Sequence, residues 1–224
     1  MQRSERDVQV IAGGEKLPGR LMLPGEMAGI VIFAHGSGSS RFSTRNVAVA
    51  ESLVQRGCAT LRFDLLTDDE AFDRKNVFNI DLLGRRVADA AQWIALRDEF
   101  AGIPIGLFGA STGAAAALTA AAQLPGRVTA VVSRGGRPDL AGEALEQVKT
   151  PTLLIVGSLD TEVLELNQAA QQRLQCESDL VVVDGATHLF EEPGTLEEVS
   201  RVAGDWFVAH FESSAAVSPE QRPG

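Results

Sequence analysis

The chain has 224 residues with 20 Lys+Arg against 30 Asp+Glu, a formal charge of −10 at pH 7. Hydrophobic residues at 45% and charged residues at 22% fit a globular domain and exclude a mainly disordered or fibrous chain. The acidic balance, with no Lys/Arg run along one helix face, would repel a phosphate backbone and excludes nucleic acid as a partner.

The segment from Met1 to Asp7 is charged without an apolar run behind it, so no secretory signal is read and a cytoplasmic location is expected. Residues 8–12 and 20–23 read as short opening strands, separated by a turn at 13–16 and pairing as an antiparallel edge. Residues 29–34 are continuously apolar, as a strand covered on both faces should be, and run into the loop His35-Gly36-Ser37-Gly38-Ser39-Ser40. A helix over 46–56 and a strand over 59–63 follow. The acidic run Asp68-Asp69-Glu70 reads as a solvated loop, and a long amphipathic helix covers 77–96.

The alternation continues with a strand at 103–108, an Ala-rich helix at 112–124, a strand at 128–133 and a short helix at 140–148. A strand at 152–156, a helix at 162–174, a strand at 180–183 and a closing helix at 195–211 complete it. Strands alternating with helices imply an α/β fold with a mostly parallel sheet flanked by helices on both faces. One domain is expected over 1–212, with 213–224 as a poorly ordered tail. The longest near-apolar stretch, 114–124, is too short to span a bilayer, so no membrane association is expected. Cys58 and Cys176 have no CxxC spacing and read as free thiols.

Between the strand at 103–108 and the Ala-rich helix stands Gly109-Ala110-Ser111-Thr112-Gly113, a G-x-S-x-G in the strand-to-helix setting that motif requires. A serine hydroxyl is a weak nucleophile at neutral pH and needs an imidazole base held by a carboxylate. Of the three histidines, His210 lies beside Phe207 and Phe211 in the closing helix and reads as a packing residue. His35 reads as a structural hydrogen-bonder. His188, in the loop after the strand at 180–183, is the expected base. Asp160, just past the strand at 152–156, is the expected acid, with Asp139 and Asp184 as competitors. The order Ser111, Asp160, His188 is that of α/β-hydrolases. Thr112 N–H, at the positive end of a helix, and Ser37 N–H are the expected oxyanion donors.

These residues carry a resemblance. With the His-Gly loop at His35 and Gly36, the elbow at Ser111, Asp160 and Gly185-Ala186-Thr187-His188, the chain is similar over about 8–211 to the α/β-hydrolases, and among them to small capless dienelactone-hydrolase-like esterases. The resemblance implies ester hydrolysis through an acyl-enzyme. Dienelactone hydrolase has a cysteine where this chain has Ser111, so its lactone substrate is not carried over. Too few residues separate Ser133 from Thr152 for the cap that such enzymes commonly insert there, which implies an open site for small or medium esters.

Arg134 and Arg137, with Arg41 in the His-Gly loop, stand near the expected pocket mouth, where they would either bind an anionic substrate group or pair with local carboxylates. No histidine pair has metal-ligand spacing, and neither a P-loop nor a complete Rossmann fingerprint occurs, so neither metal nor cofactor is expected. A thioesterase, peptidase or acyltransferase using the same triad, or a non-catalytic binding protein, are the alternatives. The protein is expected to be a monomer or homodimer.

Overall fold

Two long strands open the chain, β1 (Ser4–Ala12) and β2 (Glu15–Leu23), turned by Gly13 and Gly14 at φ 61° and 79°. Positive φ at both central residues is the backbone of the two-residue turn whose twist matches a hairpin. The remaining strands are β3 (Gly29–Ala34), β4 (Cys58–Phe63), β5 (Ile105–Ala110), β6 (Val128–Arg134), β7 (Thr152–Gly157) and β8 (Ser178–Val183). In this computed structural model, which describes residues 3–216, they form one sheet in the order β1-β2-β4-β3-β5-β6-β7-β8. The opening hairpin pairs antiparallel onto β4, and every pairing from β4 to β8 is parallel.

The helices are α1 (Thr44–Gln55), α2 (Asp68–Ala71), α3 (Arg74–Val77), α4 (Ile80–Ala95), α5 (Thr112–Gln123), α6 (Ala144–Gln147), α7 (Thr161–Arg173) and α8 (Thr195–Ala216). Successive strand residues point to opposite faces. In β3, Ile30, Ile32 and Ala34 join the core formed with α4, α5 and α7, whereas Val31 and Phe33 join the core formed with α1 and α8. All six residues of β3, β4, β5 and β7 are buried, which explains their largely apolar sequences, with Thr60 and Arg62 of β4 and Thr152 of β7 as buried polar exceptions. Gly29 and Gly106 let α8 lie close against the sheet, because a Cβ on either would come within 2.5 Å of the Phe211 or Phe207 ring.

Several boundaries differ from the sequence expectation, each for a local reason. The acidic run is helical: Thr67 caps α2 through a reciprocal capping box with Glu70, and the Glu70 carboxylate takes both Nη atoms of the buried Arg86 guanidinium at 2.6 Å. That arginine holds the Glu70 carboxyl down at about 2. The helix expected at 77–96 is split, because the Asn79 side chain accepts from Leu82 N–H and starts α4 afresh. Gly142, at φ 58°, interrupts the helix expected over 140–148. Residues 213–216 of the expected tail form the last turn of α8, and 217–224 lie outside the described residues. Both cysteines are free, and burial pushes the Cys58 thiol up to about 11.

No helix among the described residues is long and apolar enough to cross a membrane. The carboxyl ends of β3, β5, β6 and β7 all open on one edge, where the crevice of an open parallel sheet collects its ligands.

Candidate active site

Ser111 links β5 directly to α5 with φ 52° and ψ −123°, the left-handed region that a residue with a side chain enters only at a cost of about 1–3 kcal/mol. Its neighbours make the turn possible. A Cβ at Gly109 would lie 2.4 Å from Ala114 Cα, and one at Gly113 would lie 2.2 Å from the Ala34 carbonyl oxygen. The backbone is tied down as well, with Ser111 N–H donating to Arg134 O at 3.2 Å and Arg137 N–H to Ser111 O at 3.0 Å.

Asp160 and His188 come from the loops after β7 and β8. Those loops are bound together: Leu159 N–H donates to Ala186 O at 3.0 Å and Gly185 N–H to Ser158 Oγ at 2.8 Å. A Cβ at Gly157 would stand 2.2 Å from the Ala186 carbonyl oxygen, so this approach requires glycine. Thr187 is anchored in turn by Glu192, which accepts from its hydroxyl at 2.6 Å. The result places His188 Nδ1 2.6 Å from Asp160 Oδ2, with the carboxylate 15% exposed and the imidazole 37%. A hydrogen bond in that position fixes Nδ1–H and leaves Nε2 as the ring's free acceptor. Ser111 and His188 line one cavity, together with Gly36, Ser37, Arg45, Asn46 and Arg134.

The other two aspartates are placed elsewhere. Asp139 takes the Arg137 guanidinium in a fork, at 2.9 and 2.8 Å, which occupies both residues. Asp184 is exposed and accepts only from Ser158 Oγ, at 3.5 Å. Arg41 does not reach the cavity, because Asp64 takes both its backbone N–H and its guanidinium. Arg134 does line the cavity, and so does Arg45, which the sequence reading passed over. The signal for Arg45 was available: a cation in the first turn of a helix opposes the dipole there, and such local conflicts mark functional positions.

Thr112 N–H occupies the first position of α5, where a helix supplies no internal acceptor. Ser37 N–H faces the same elbow and donates to Thr112 Oγ1 at 2.8 Å, so it is engaged. His35 is held as a hydrogen-bonder: Leu65 N–H donates to its Nε2 at 3.1 Å, and Nδ1–H donates to Gly36 O at 3.0 Å. Burial lowers its pKa. Below pH 6.5 the unfolded chain therefore takes up a proton that folded His35 refuses, so its contribution is present above 6.5 and is lost as pH falls. Urea unfolding from pH 7.5 to 5.0 should show wild type losing up to ~1.4 kcal/mol per pH unit more than His35→Gln. Parallel profiles would contradict a neutral, buried imidazole. His210 is a packing residue, half-buried on α8, with Nδ1–H donating to Trp206 O at 2.8 Å.

A second cavity shares Gly36, Ser37 and Ser39 with the first and is walled by Leu65, Leu66, Ala71, Val77 and Leu83. It exists because α2 and α3 fold over the loop after β4. The neighbourhood of Ser111 is thus polar and cationic on the α1 side and mainly apolar, with Asp64 and Asp68 in the wall, on the α2–α3 side.

Comparison with known proteins bears on this arrangement. Residues 27–203 match a family model described as an alpha/beta hydrolase domain. The structure of a dienelactone hydrolase from Anabaena variabilis superposes with a TM-score of 0.91 at 50% identity, covering 94% of this chain and 99% of that one. Est1E from Butyrivibrio proteoclasticus shares the fold with a TM-score of 0.78 at 18% identity, over 92% of this chain and 99% of that one. A Mycobacterium tuberculosis protein that bears the name phosphoribosyl transferase is 57% identical over 92% of this chain. The match covers 47% of that relative, so this chain spans about half its length. The chain belongs to the α/β-hydrolase family and is dienelactone-hydrolase-like.

Proposed function

We propose that the protein is a serine hydrolase of small to medium carboxylic esters, acting through an acyl-enzyme on Ser111. The observation that carries this reading is the 2.6 Å Asp160–His188 contact, with His188 lining the same cavity as a serine on a strained elbow. The phosphoribosyl transferase name is not transferred, because it belongs to proteins of which this chain matches less than half.

In the first step His188 Nε2 takes the Ser111 proton as Oγ bonds to the ester carbonyl carbon. The Asp160 carboxylate holds the tautomer and stabilises the imidazolium that forms. The carbonyl oxygen becomes an oxyanion at Thr112 N–H and, where it displaces the Thr112 hydroxyl, at Ser37 N–H. Collapse breaks the bond to the alkoxy oxygen, which leaves as the alcohol with the proton from His188. Water then attacks the acyl carbon, His188 takes its proton and returns it to Ser111 Oγ, and the carboxylic acid departs. The apolar cavity beside Gly36 and Ser37 receives the hydrocarbon part of the substrate.

Initial rates on p-nitrophenyl esters from acetate to decanoate, beside acyl thioesters and peptide anilides, test this reading. The expected profile peaks at short acyl chains on oxygen esters. Turnover of thioesters or peptides alone would replace it with one of the other acyl-transfer chemistries.

A further inference from the structure

The cavity at Ser111 has an unusual charge for this chain. Acids outnumber bases by 30 to 20 overall, yet two guanidiniums and no carboxylate line it. Arg134, the last residue of β6, is 93% buried by its 7% exposure. Its Nε and Nη1 have no hydrogen-bond partner, and among the described residues no carboxylate lies within 4 Å of it. Desolvation, with Arg45 nearby, pushes its pKa down to about 10, which still leaves it charged at neutral pH. Arg45 stands at the start of α1, pairing at 3.2 Å with the exposed Glu191 and leaving its own Nε unpartnered. Asn46, 3% exposed on the same wall, has an unpartnered carboxamide oxygen.

A buried guanidinium without a counter-charge destabilises a fold, and removing such a charge in favour of an apolar side chain of like length is often stabilising. Structural use does not explain Arg134, since it bridges nothing. A ligand that completes its fork does, because planar guanidinium matches the paired oxygens of a carboxylate or phosphate.

We infer that the substrate carries an anionic group, carboxylate or phosphate, held beside the scissile ester by Arg134 with Arg45. The inference rests on the ester-hydrolase reading for the word substrate, while the anion site itself does not. In this arrangement the anion docks on the α1 side of Ser111 and the hydrocarbon part extends toward the α2–α3 side. Arg134 acts on binding, so its loss is expected mainly in KM and in the affinity for anions.

Two readouts separate the claims. The first is competitive inhibition of p-nitrophenyl acetate hydrolysis by glutarate and by inorganic phosphate, with 1,5-pentanediol as the uncharged counterpart. At least one anion should compete, the diol should not, and the inhibition constant should rise about tenfold or more in Arg134→Met and severalfold in Arg45→Ala. Which anion competes decides between carboxylate and phosphate. The second needs no turnover: the same anions should raise the thermal midpoint of wild type and not of Arg134→Met. Without anions Arg134→Met should itself melt several degrees higher, whereas a structural arginine would give the opposite sign.

Activity without any anion effect, or equal inhibition of wild type and Arg134→Met, overturns the anion site and leaves the esterase standing. An anion-dependent midpoint lost in Arg134→Met, with no ester turned over, keeps the site and sinks the esterase reading. Should Arg134→Met fail to fold, unchanged inhibition in Arg45→Ala overturns the proposal.

Discussion

Alanine at Ser111 should lower kcat on p-nitrophenyl acetate by about 10⁵-fold or more, and adding His188→Ala should cost almost nothing further, because nucleophile and base act as one unit. Asp160→Asn is the informative companion. It keeps the shape of the side chain that sits 2.6 Å from His188 Nδ1 but removes the carboxylate that fixes the tautomer, and about 10⁴-fold is expected. Neither Asp139→Asn nor Asp184→Asn should approach that loss, since one carboxylate is occupied by Arg137 and the other is exposed beside Ser158. Steady-state rates on the purified variants decide it. Equal losses from Asp160→Asn and Asp184→Asn would contradict the assigned acid.

The second large effect concerns the elbow that carries Ser111. Gly113→Ala places a methyl group 2.2 Å from Ala34 O and 2.5 Å from His35 O. Both oxygens belong to backbone, and Ala34 is registered against Gly109 within the sheet, so neither can move alone. Either α5 shifts away from β3 or the elbow unwinds. Overpacking of this kind costs about 1–3 kcal/mol and more when backbone is the obstacle, so about 3 kcal/mol and a midpoint lower by roughly 6–12 °C are expected. Activity should fall more than stability, because the elbow sets the position of Ser111 in the cavity it shares with His188. Urea and thermal unfolding check the first part, and a loss under 0.5 kcal/mol would show that the close approach is not required.

Much of this was legible in the chain itself, and the reason differs from element to element. The buried parallel strands announce themselves as apolar runs, and the elbow announces itself because only Gly109 and Gly113 permit the contacts they make. His188 could be chosen because, of three histidines, His210 reads as a packing residue of the closing helix and His35 as a structural hydrogen-bonder. Asp160 depended on its position just past β7, which chain order alone could suggest but not measure. The opening hairpin was harder: β1 begins at Ser4, ahead of the expected start, because its outer residues are exposed and carry no apolar alternation.

The acidic run was misread because a capping box and a partner sixteen residues away, Arg86, turn a charged segment into a helical wall of the apolar cavity. Arginines were the least legible of all. Arg137 has its carboxylate two residues on, whereas only tertiary contacts give Arg41 its partner Asp64 and leave Arg134 with none.

Whether Ser111 is an activated nucleophile is read most directly by intact-protein mass spectrometry after a short incubation with a fluorophosphonate. One covalent adduct is expected on wild type, mapped to Ser111 by peptide analysis and lost in Ser111→Ala. Labelling should slow by orders of magnitude in His188→Ala, because the hydroxyl then keeps its proton. A wild-type protein that stays unlabelled, or one labelled equally fast without His188, would contradict it.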